Sequence, residues 1–254
     1  MRTLVLNLGN TTLFGGVFVN ARLIRCFRVP IGEAATAGGL ASLATRHWRG
    51  SFDAAALCSV VPALTETTVS QVARTCGVAP RVLTADAAHG LAIGYRRSNE
   101  LGADRIAAAL GARSLWPKRD VIVVDCGTAT TVTALHRDGT ILGGAILPGL
   151  ALWPEMLAAR TAQLPRIELK CPGSALGRTP VEAIASGIFH GHAGAIRELV
   201  QRISAEAFGK KKALVIGTGG LAPQFSREKL FTEIVPDLIL YGLRVFAAQI
   251  HSHA

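Results

Sequence analysis

Apolar positions along the chain fall into short alternating or continuous runs separated by Gly, Pro and polar clusters, and the runs predict a mixed succession of strands and helices. Thr3 to Leu8 and Phe14 to Val19 read as strands joined by a Gly-Asn-Thr-Thr turn, with Arg22 to Val29 as a third strand. From Ile31 a Gly- and Ala-rich stretch predicts a helix to about Trp48. The apolar run Ala54 to Val60, ended by Pro62, predicts a strand, and a helix follows to Cys76. Leu101 to Leu115 reads as another helix, and Trp116-Pro117-Lys118-Arg119-Asp120 is the clearest break in the chain.

Beyond that break the opening pattern returns. Val121-Ile122-Val123-Val124-Asp125-Cys126-Gly127-Thr128-Ala129-Thr130 can be laid over Thr3-Leu4-Val5-Leu6-Asn7-Leu8-Gly9-Asn10-Thr11-Thr12 at an offset of 118 residues. Either a duplicated α/β domain or chance agreement over a few positions accounts for the match. Duplication predicts two related domains, 1–118 and 119–254. In the second half Thr140 to Ile146 reads as a strand and Leu150 to Ala159 as a short helix. Thr179-Pro180-Val181-Glu182 is a strong helix start, because Thr can cap, Pro suits the first helical position and Glu three residues on completes a capping box. That helix is expected to reach about Phe208, ahead of a strand Ala213 to Ile216 and a loop Gly217 to Gly220.

Composition narrows the class. With 254 residues, half of them apolar, and 27 Gly and 11 Pro, the chain can bury a large core and is neither disordered nor collagenous. A mean hydropathy of +0.36 raises the question of a membrane span. The longest uncharged apolar stretch, Ile141 to Trp153, contains Gly143, Gly144, Pro148 and Gly149 and is too short and broken for a helix that needs about 20 apolar residues. The first seven residues turn polar too early for a signal peptide, so the expected location is the cytoplasm. Five widely spaced cysteines without a Cys-x-x-Cys pair indicate neither a disulfide framework nor a zinc site. His190 and His192, two apart on the predicted helix, sit about 200° around it and are not expected to share a metal.

The formal charge is +10, with 13 Lys and Arg against 6 Asp and Glu in residues 1–118 and 14 against 11 in the rest. The arginines of the first half are scattered and aromatic residues make up only 6%, so a solvated basic surface is favoured over nucleic-acid binding, which adds stacking rings.

A strand that ends in a Gly-Asn-Thr or Gly-Thr-Ala-Thr turn lets backbone N–H groups approach an anion, because Gly removes the Cβ and Thr adds a hydroxyl donor. Two such loops on facing domains suit a nucleotide's phosphates, and the Gly217 to Gly220 loop suits a flat purine. Asp104-Arg105, at a predicted helix start, offers a base and a cation together, and is equally readable as a local ion pair.

These loops occur in an order that resembles the type III pantothenate kinases, within the superfamily of acetate and sugar kinases, heat-shock ATPases and actin. The resemblance runs nearly end to end. It rests on Leu8-Gly9-Asn10-Thr11, Ser59-Val60-Val61-Pro62, Leu101-Gly102-Ala103-Asp104-Arg105, Asp125-Cys126-Gly127-Thr128-Ala129-Thr130-Thr131, Gly143-Gly144-Ala145-Ile146-Leu147-Pro148-Gly149, Thr161-Ala162-Gln163-Leu164-Pro165, Ser186-Gly187-Ile188 and Thr218-Gly219-Gly220-Leu221-Ala222.

The resemblance implies two ribonuclease-H-like α/β domains facing across a cleft, and ATP-dependent phosphorylation of pantothenate, the first step toward coenzyme A, by a cytoplasmic homodimer. It implies Mg²⁺ and a monovalent cation, K⁺ or NH₄⁺, as cofactors. By motif match Asp104 is the general base, and Tyr95, Gly102, Ala103, Asp104, Arg105 and Thr179 line the pantothenate site. Asp125 holds the monovalent ion, while Thr128 and the loop of Asn7, Leu8, Gly9, Asn10, Thr11, Thr12, Leu13 and Phe14 bind ATP. The chain departs from the family pattern at Asn7, where the family has Asp, at Thr133, where it has an acidic residue, and at Arg97-Ser98, where it has Asn-Pro. These departures support an alternative reading, a catalytically weak or silent relative that binds nucleotide or a pantothenate-like ligand in a regulatory role.

Overall fold

A computed structural model of the chain describes residues 1–34, 50–87 and 89–249. Their contacts divide into two compact units, one built from Met1–Pro117 together with the segment from Leu238 onward, the other from Lys118–Asp237.

In the first unit, β1 (Arg2–Leu8), β2 (Thr12–Val19), β3 (Arg22–Pro30), β4 (Ala54–Ser59) and β5 (Arg81–Leu83) form a sheet in the order β3-β2-β1-β4-β5. The first three strands are antiparallel neighbours, and β4 and β5 join in parallel. Because strand side chains alternate between faces, Leu4, Leu6 and Leu8 pack with Ala55 and Leu57 against Val72 and Cys76 of helix α1 (Pro62–Cys76). Pro62 opens that helix, and Gly77, with φ of 72°, closes it by donating its N–H to Ala73 O at 3.0 Å. Helix α2 (Ala103–Leu115) starts two residues later than expected, after a 3₁₀ turn at Ser98–Glu100. Ile31–Ala34 is helical; the rest of the helix expected to Trp48 lies outside the described residues.

The second unit repeats the plan. Its strands β6 (Val121–Cys126), β7 (Ala129–Leu135), β8 (Thr140–Pro148), β9 (Leu214–Thr218) and β10 (Glu233–Ile234) run β8-β7-β6-β9-β10, with the same senses of pairing. Both units therefore have the ribonuclease-H-like strand order. The register also corrects the sequence overlay. Leu8 pairs with Leu13 but Cys126 pairs with Thr130, so the second turn is one residue shorter and the second strands are offset by 117 rather than 118.

Helices α3 (Leu152–Arg160) and α4 (Pro180–Phe208) connect β8 to β9. Ile122, Val124 and Val132 pack against Ile184, Ile188, Phe189 and Ile196 of α4, and Phe189 stacks on Phe225 with ring centres 5.1 Å apart. The predicted start of α4 forms: Thr179 Oγ1 accepts the Glu182 N–H at 3.2 Å. The Glu182 carboxylate reaches back to the Arg178 N–H at 2.7 Å, one residue before the cap. Ahead of β6 the buried Asp120 carboxylate accepts from the Arg137 backbone and guanidinium, which hold its carboxyl below the usual range.

The unit boundaries differ from the expected domains at the far end. Helix α5 (Leu238–Ala248), which sequence reasoning did not identify, packs in the first unit on α2, β1 and β4. The physical reason is a close backbone approach. A Cβ at Gly242 would collide with Ala107 O of α2, and one at Gly111 with Leu238 O. Arg81 Nη1 donates to Phe246 O at 2.8 Å, with its guanidinium 4.2 Å from the Phe246 ring centre, and Arg244 Nε donates to Asn20 O at 3.1 Å. The segment expected within domain 119–254 thus completes the first unit.

Two outcomes follow from this packing. Gly242→Ala forces α2 and α5 apart and is expected to lower stability by about 1–3 kcal/mol, read as a fall in the urea or thermal midpoint; an unchanged midpoint contradicts the close contact. Thr179→Ala removes a cap and is expected to cost about 1 kcal/mol, whereas Thr179→Asp keeps a capping oxygen and most of that stability.

Candidate active site

In the first unit the candidate residues gather at the carboxyl end of the sheet. Asn7 is the penultimate residue of β1 and lies beside Cys58 of β4 in the parallel register. Alternation puts it on the face of Val5, opposite the leucines of the core. Asn7 Oδ1 is buried and has no hydrogen-bond partner among the described residues.

Cys58 is fully buried, and its thiol is pushed well above its ordinary value, first by burial and then by the negative charge of Asp104. Cys58 thus connects Asn7, its lateral neighbour, with Asp104, whose charge it feels. No sequence signal marked this residue, since it lies within an ordinary apolar strand.

Asp104 is the second residue of α2, where the unpaired N–H groups of a helix start favour a negative charge. Its Oδ1 accepts the Arg105 N–H at 2.8 Å, and a side chain on Gly102 would crowd the same oxygen. Arg105 is only 6% exposed, so its charge is held in place; Nη1 donates to the Tyr95 hydroxyl, and the guanidinium lies 5.5 Å from the centre of that ring. Tyr95, Gly102, Ala103, Asp104 and Arg105 therefore form one local group. Arg97 lies outside it in an exposed ion pair with Glu100.

The expected ATP loop, Asn7 to Phe14, spans the end of β1, a turn and the start of β2. Leu8 and Leu13 are at most 1% exposed and belong to the core, and Phe14 lies under Arg28 with the guanidinium 3.4 Å from the ring centre. Their side chains are committed to packing because they occupy paired strand positions. Gly9, Asn10, Thr11 and Thr12 remain as the turn itself, closed by Gly9 N–H donating to Thr12 O at 3.0 Å.

In the second unit Asp125 is the penultimate residue of β6, next to Cys126, whose thiol is pushed up to about 12 by burial and then by the Asp125 charge. Gly219, with φ of 83°, fits against Asp125 Oδ1 and Cys126 O where no side chain could. The turn Gly127–Ala129 is held from two sides: Gly149 N–H donates to Thr128 O at 3.0 Å and Leu221 N–H to Cys126 O at 3.1 Å. Thr128 is exposed at its tip. Thr133 is buried within β7, opposite Val123 and Gly144. Thr179 has its oxygen in the α4 cap, which leaves its hydroxyl proton free to donate. No cluster of three or more His, Cys, Asp or Glu suited to a metal occurs among the described residues.

A profile of the type III pantothenate kinases matches residues 3–202 of this chain. A type III pantothenate kinase of Francisella tularensis is 39% identical over 246 residues, covering 94% of this chain and 96% of the relative. One from Legionella pneumophila is 38% identical over 250 residues, covering 96% and 97%. Among solved structures, the activator of the 2-hydroxyisocaproyl-CoA dehydratase from Clostridium difficile, with bound ADPNP, matches at a TM-score of 0.55 and 15% identity, covering 100% of this chain and 99% of that one. The last likeness is one of fold, whereas the profile and the relatives span the loops that carry Asn7, Asp104, Asp125 and Thr179. The chain belongs to the type III pantothenate kinase family.

Proposed function

We propose that this chain transfers the γ-phosphoryl group of ATP to the hydroxyl of pantothenate, giving 4′-phosphopantothenate, the first step of coenzyme A biosynthesis. The observation that carries this reading is the group at the start of α2, where Asp104 stands beside the Arg105–Tyr95 pair on the same sheet end as Asn7. In the step, the substrate oxygen bonds to the γ-phosphorus, the bond from that phosphorus to the bridging oxygen of ADP breaks, and the hydroxyl proton passes to the Asp104 carboxylate. Such transfers depend on positioning and on neutralising charge more than on covalent chemistry. Arg105 offers a fixed cation for an anionic substrate group, and Tyr95, Gly102, Ala103 and Thr179 line the pantothenate subsite. The Gly9–Thr12 turn and Thr128 hold phosphates through backbone N–H and hydroxyl groups, and Asp125 holds K⁺ or NH₄⁺.

A kinase of this fold works with ATP and a divalent cation. Asn7 Oδ1, a hard oxygen buried without a partner among the described residues, fits a Mg²⁺ ligand, although it brings no charge. When bound, the ion supplies charge neutralisation at the phosphates. The working form is a cytoplasmic homodimer; among the described residues no helix is long and apolar enough to cross a membrane.

The alternative, a weak or silent relative in a regulatory role, turns on the uncharged Asn7, and two variants separate the readings. Asp104→Asn is expected to keep the fold and nucleotide binding while phosphorylation falls by roughly 10² to 10⁴, measured as ADP release with pantothenate, Mg²⁺ and K⁺. Wild-type turnover in that variant rejects Asp104 as the base. Asn7→Asp, nearly isosteric, is expected to raise activity about tenfold, a change of about 1.4 kcal/mol in the barrier, and to sharpen the Mg²⁺ dependence. Absence of turnover in both forms, with ligand still bound, supports the regulatory reading.

A further inference from the structure

The β6–β7 turn that presents Thr128 is flanked on its far side by a buried polar contact that the roles above leave unused. Thr130, the second residue of β7, is 0% exposed and pairs with Cys126 to close the turn. Its Oγ1 lies 3.0 Å from Nε2 of His192, in the middle of α4, and His192 is 3% exposed. The imidazole in turn lies flat against Phe225, with ring centres 5.7 Å apart and planes within 24°. Phe225 belongs to the 3₁₀ segment Ala222–Glu228, just after the Gly217–Gly220 loop. One side chain therefore touches both the strand that leaves the first loop and the segment that follows the second.

His192 is an expensive residue to keep there. Nδ1 is buried and has no hydrogen-bond partner among the described residues, and burial holds the imidazole below its ordinary range, in the neutral form. An unfilled lone pair costs less than an orphaned N–H, which places the proton on Nε2 and makes Thr130 Oγ1 its acceptor. An apolar residue would fill the same space among Ile188, Phe189 and Phe225 without that penalty, so packing alone does not account for a histidine. The hydrogen bond to Thr130 does.

We infer that His192 is a positioning residue for nucleotide binding: through Thr130 it fixes the turn Gly127–Ala129, and through Phe225 it fixes the approach to the Gly217–Gly220 loop. The inference rests on the kinase reading for the role of the turn. Gly149 and Leu221 grip the turn by its carbonyls, and His192 supplies the side-chain grip from α4, so that Thr128 is presented in one conformation. Loss of the bond leaves the proton-transfer group at Asp104 untouched and loosens only the turn.

The test compares Thr130→Val and His192→Leu, which remove the bond with little change of volume, with His192→Gln, whose amide nitrogen can reach the position of Nε2. Calorimetric affinity for ATP and ADP, and KM and kcat for each substrate, are measured on the folded full-length proteins. The expected result is an ATP and ADP affinity weakened about two- to tenfold in the first two variants, the magnitude of one neutral hydrogen bond. The double variant should be no worse than either single one, and His192→Gln should recover most of the loss. The KM for pantothenate and kcat at saturating ATP should stay within about twofold of wild type.

Unchanged nucleotide affinity in Thr130→Val, equal losses for both substrates, or failure of all three variants to fold each overturns the positioning role in favour of a purely structural one. Nucleotide binding that responds as expected in a protein that does not phosphorylate pantothenate overturns the kinase reading alone, and a wild-type protein that binds no nucleotide overturns both.

Discussion

Parallel pairing of the central strands is the constraint on which both units depend. In β1, β4 and β6 nearly every side chain before the last positions is buried, and in β9 Ile216, Gly217 and Thr218 are. Polar chemistry is confined to the carboxyl ends, where the pairing runs out and turns begin. Asn7 beside Cys58 and Asp125 beside Thr218 are the same position in the two copies of the plan. Each is the penultimate residue of its strand, followed by one more paired residue, Leu8 or Cys126, before the turn begins. The helices serve this edge as well, since α2 begins where Asp104 can reach it.

Much of this was legible in the sequence because the signals were local. Val121 to Val124 is a continuous apolar run of the kind a central strand requires, and Thr179-Pro180 with Glu182 announces a helix start through backbone stereochemistry alone. The repeat of strand, amide or carboxylate, x-Gly and Thr puts Asn7 and Asp125 at equivalent positions. Non-local effects were not legible. The one-residue difference between the two turns is a matter of register. The burial of Leu8, Leu13 and Phe14 within a loop assigned to ATP follows from strand pairing across the turn. Helix α5 was missed although buried positions, Leu238, Ile239, Gly242, Leu243, Phe246 and Ala247, recur at helical spacing; its other side carries a single charge, Arg244.

The site is built from more kinds of group than its motifs advertise. Cys58 and Cys126, neighbours of Asn7 and Asp125, are buried thiols held neutral partly by the carboxylates beside them. They occupy the layer just beneath the polar edge and present no charge of their own. The polar edge thus consists of few charges on an apolar bed, which strengthens each of them by excluding water from one side. The net positive charge of the whole chain adds a background attraction for anions without specifying which.

The return of α5 to the first unit has a consequence for how the protein comes into being. Residues 118–237 form a contiguous stretch, whereas the first unit, already covered by α1 on one face of β1 and β4, gains α5 only once residues 238–248 have been synthesised. The half of the molecule that leaves the ribosome first is therefore the last to finish folding. In the interval the apolar face of Val5, Ala54 and Ala56 has no cover from α5, so the nascent chain depends on the last helix arriving before another chain takes its place.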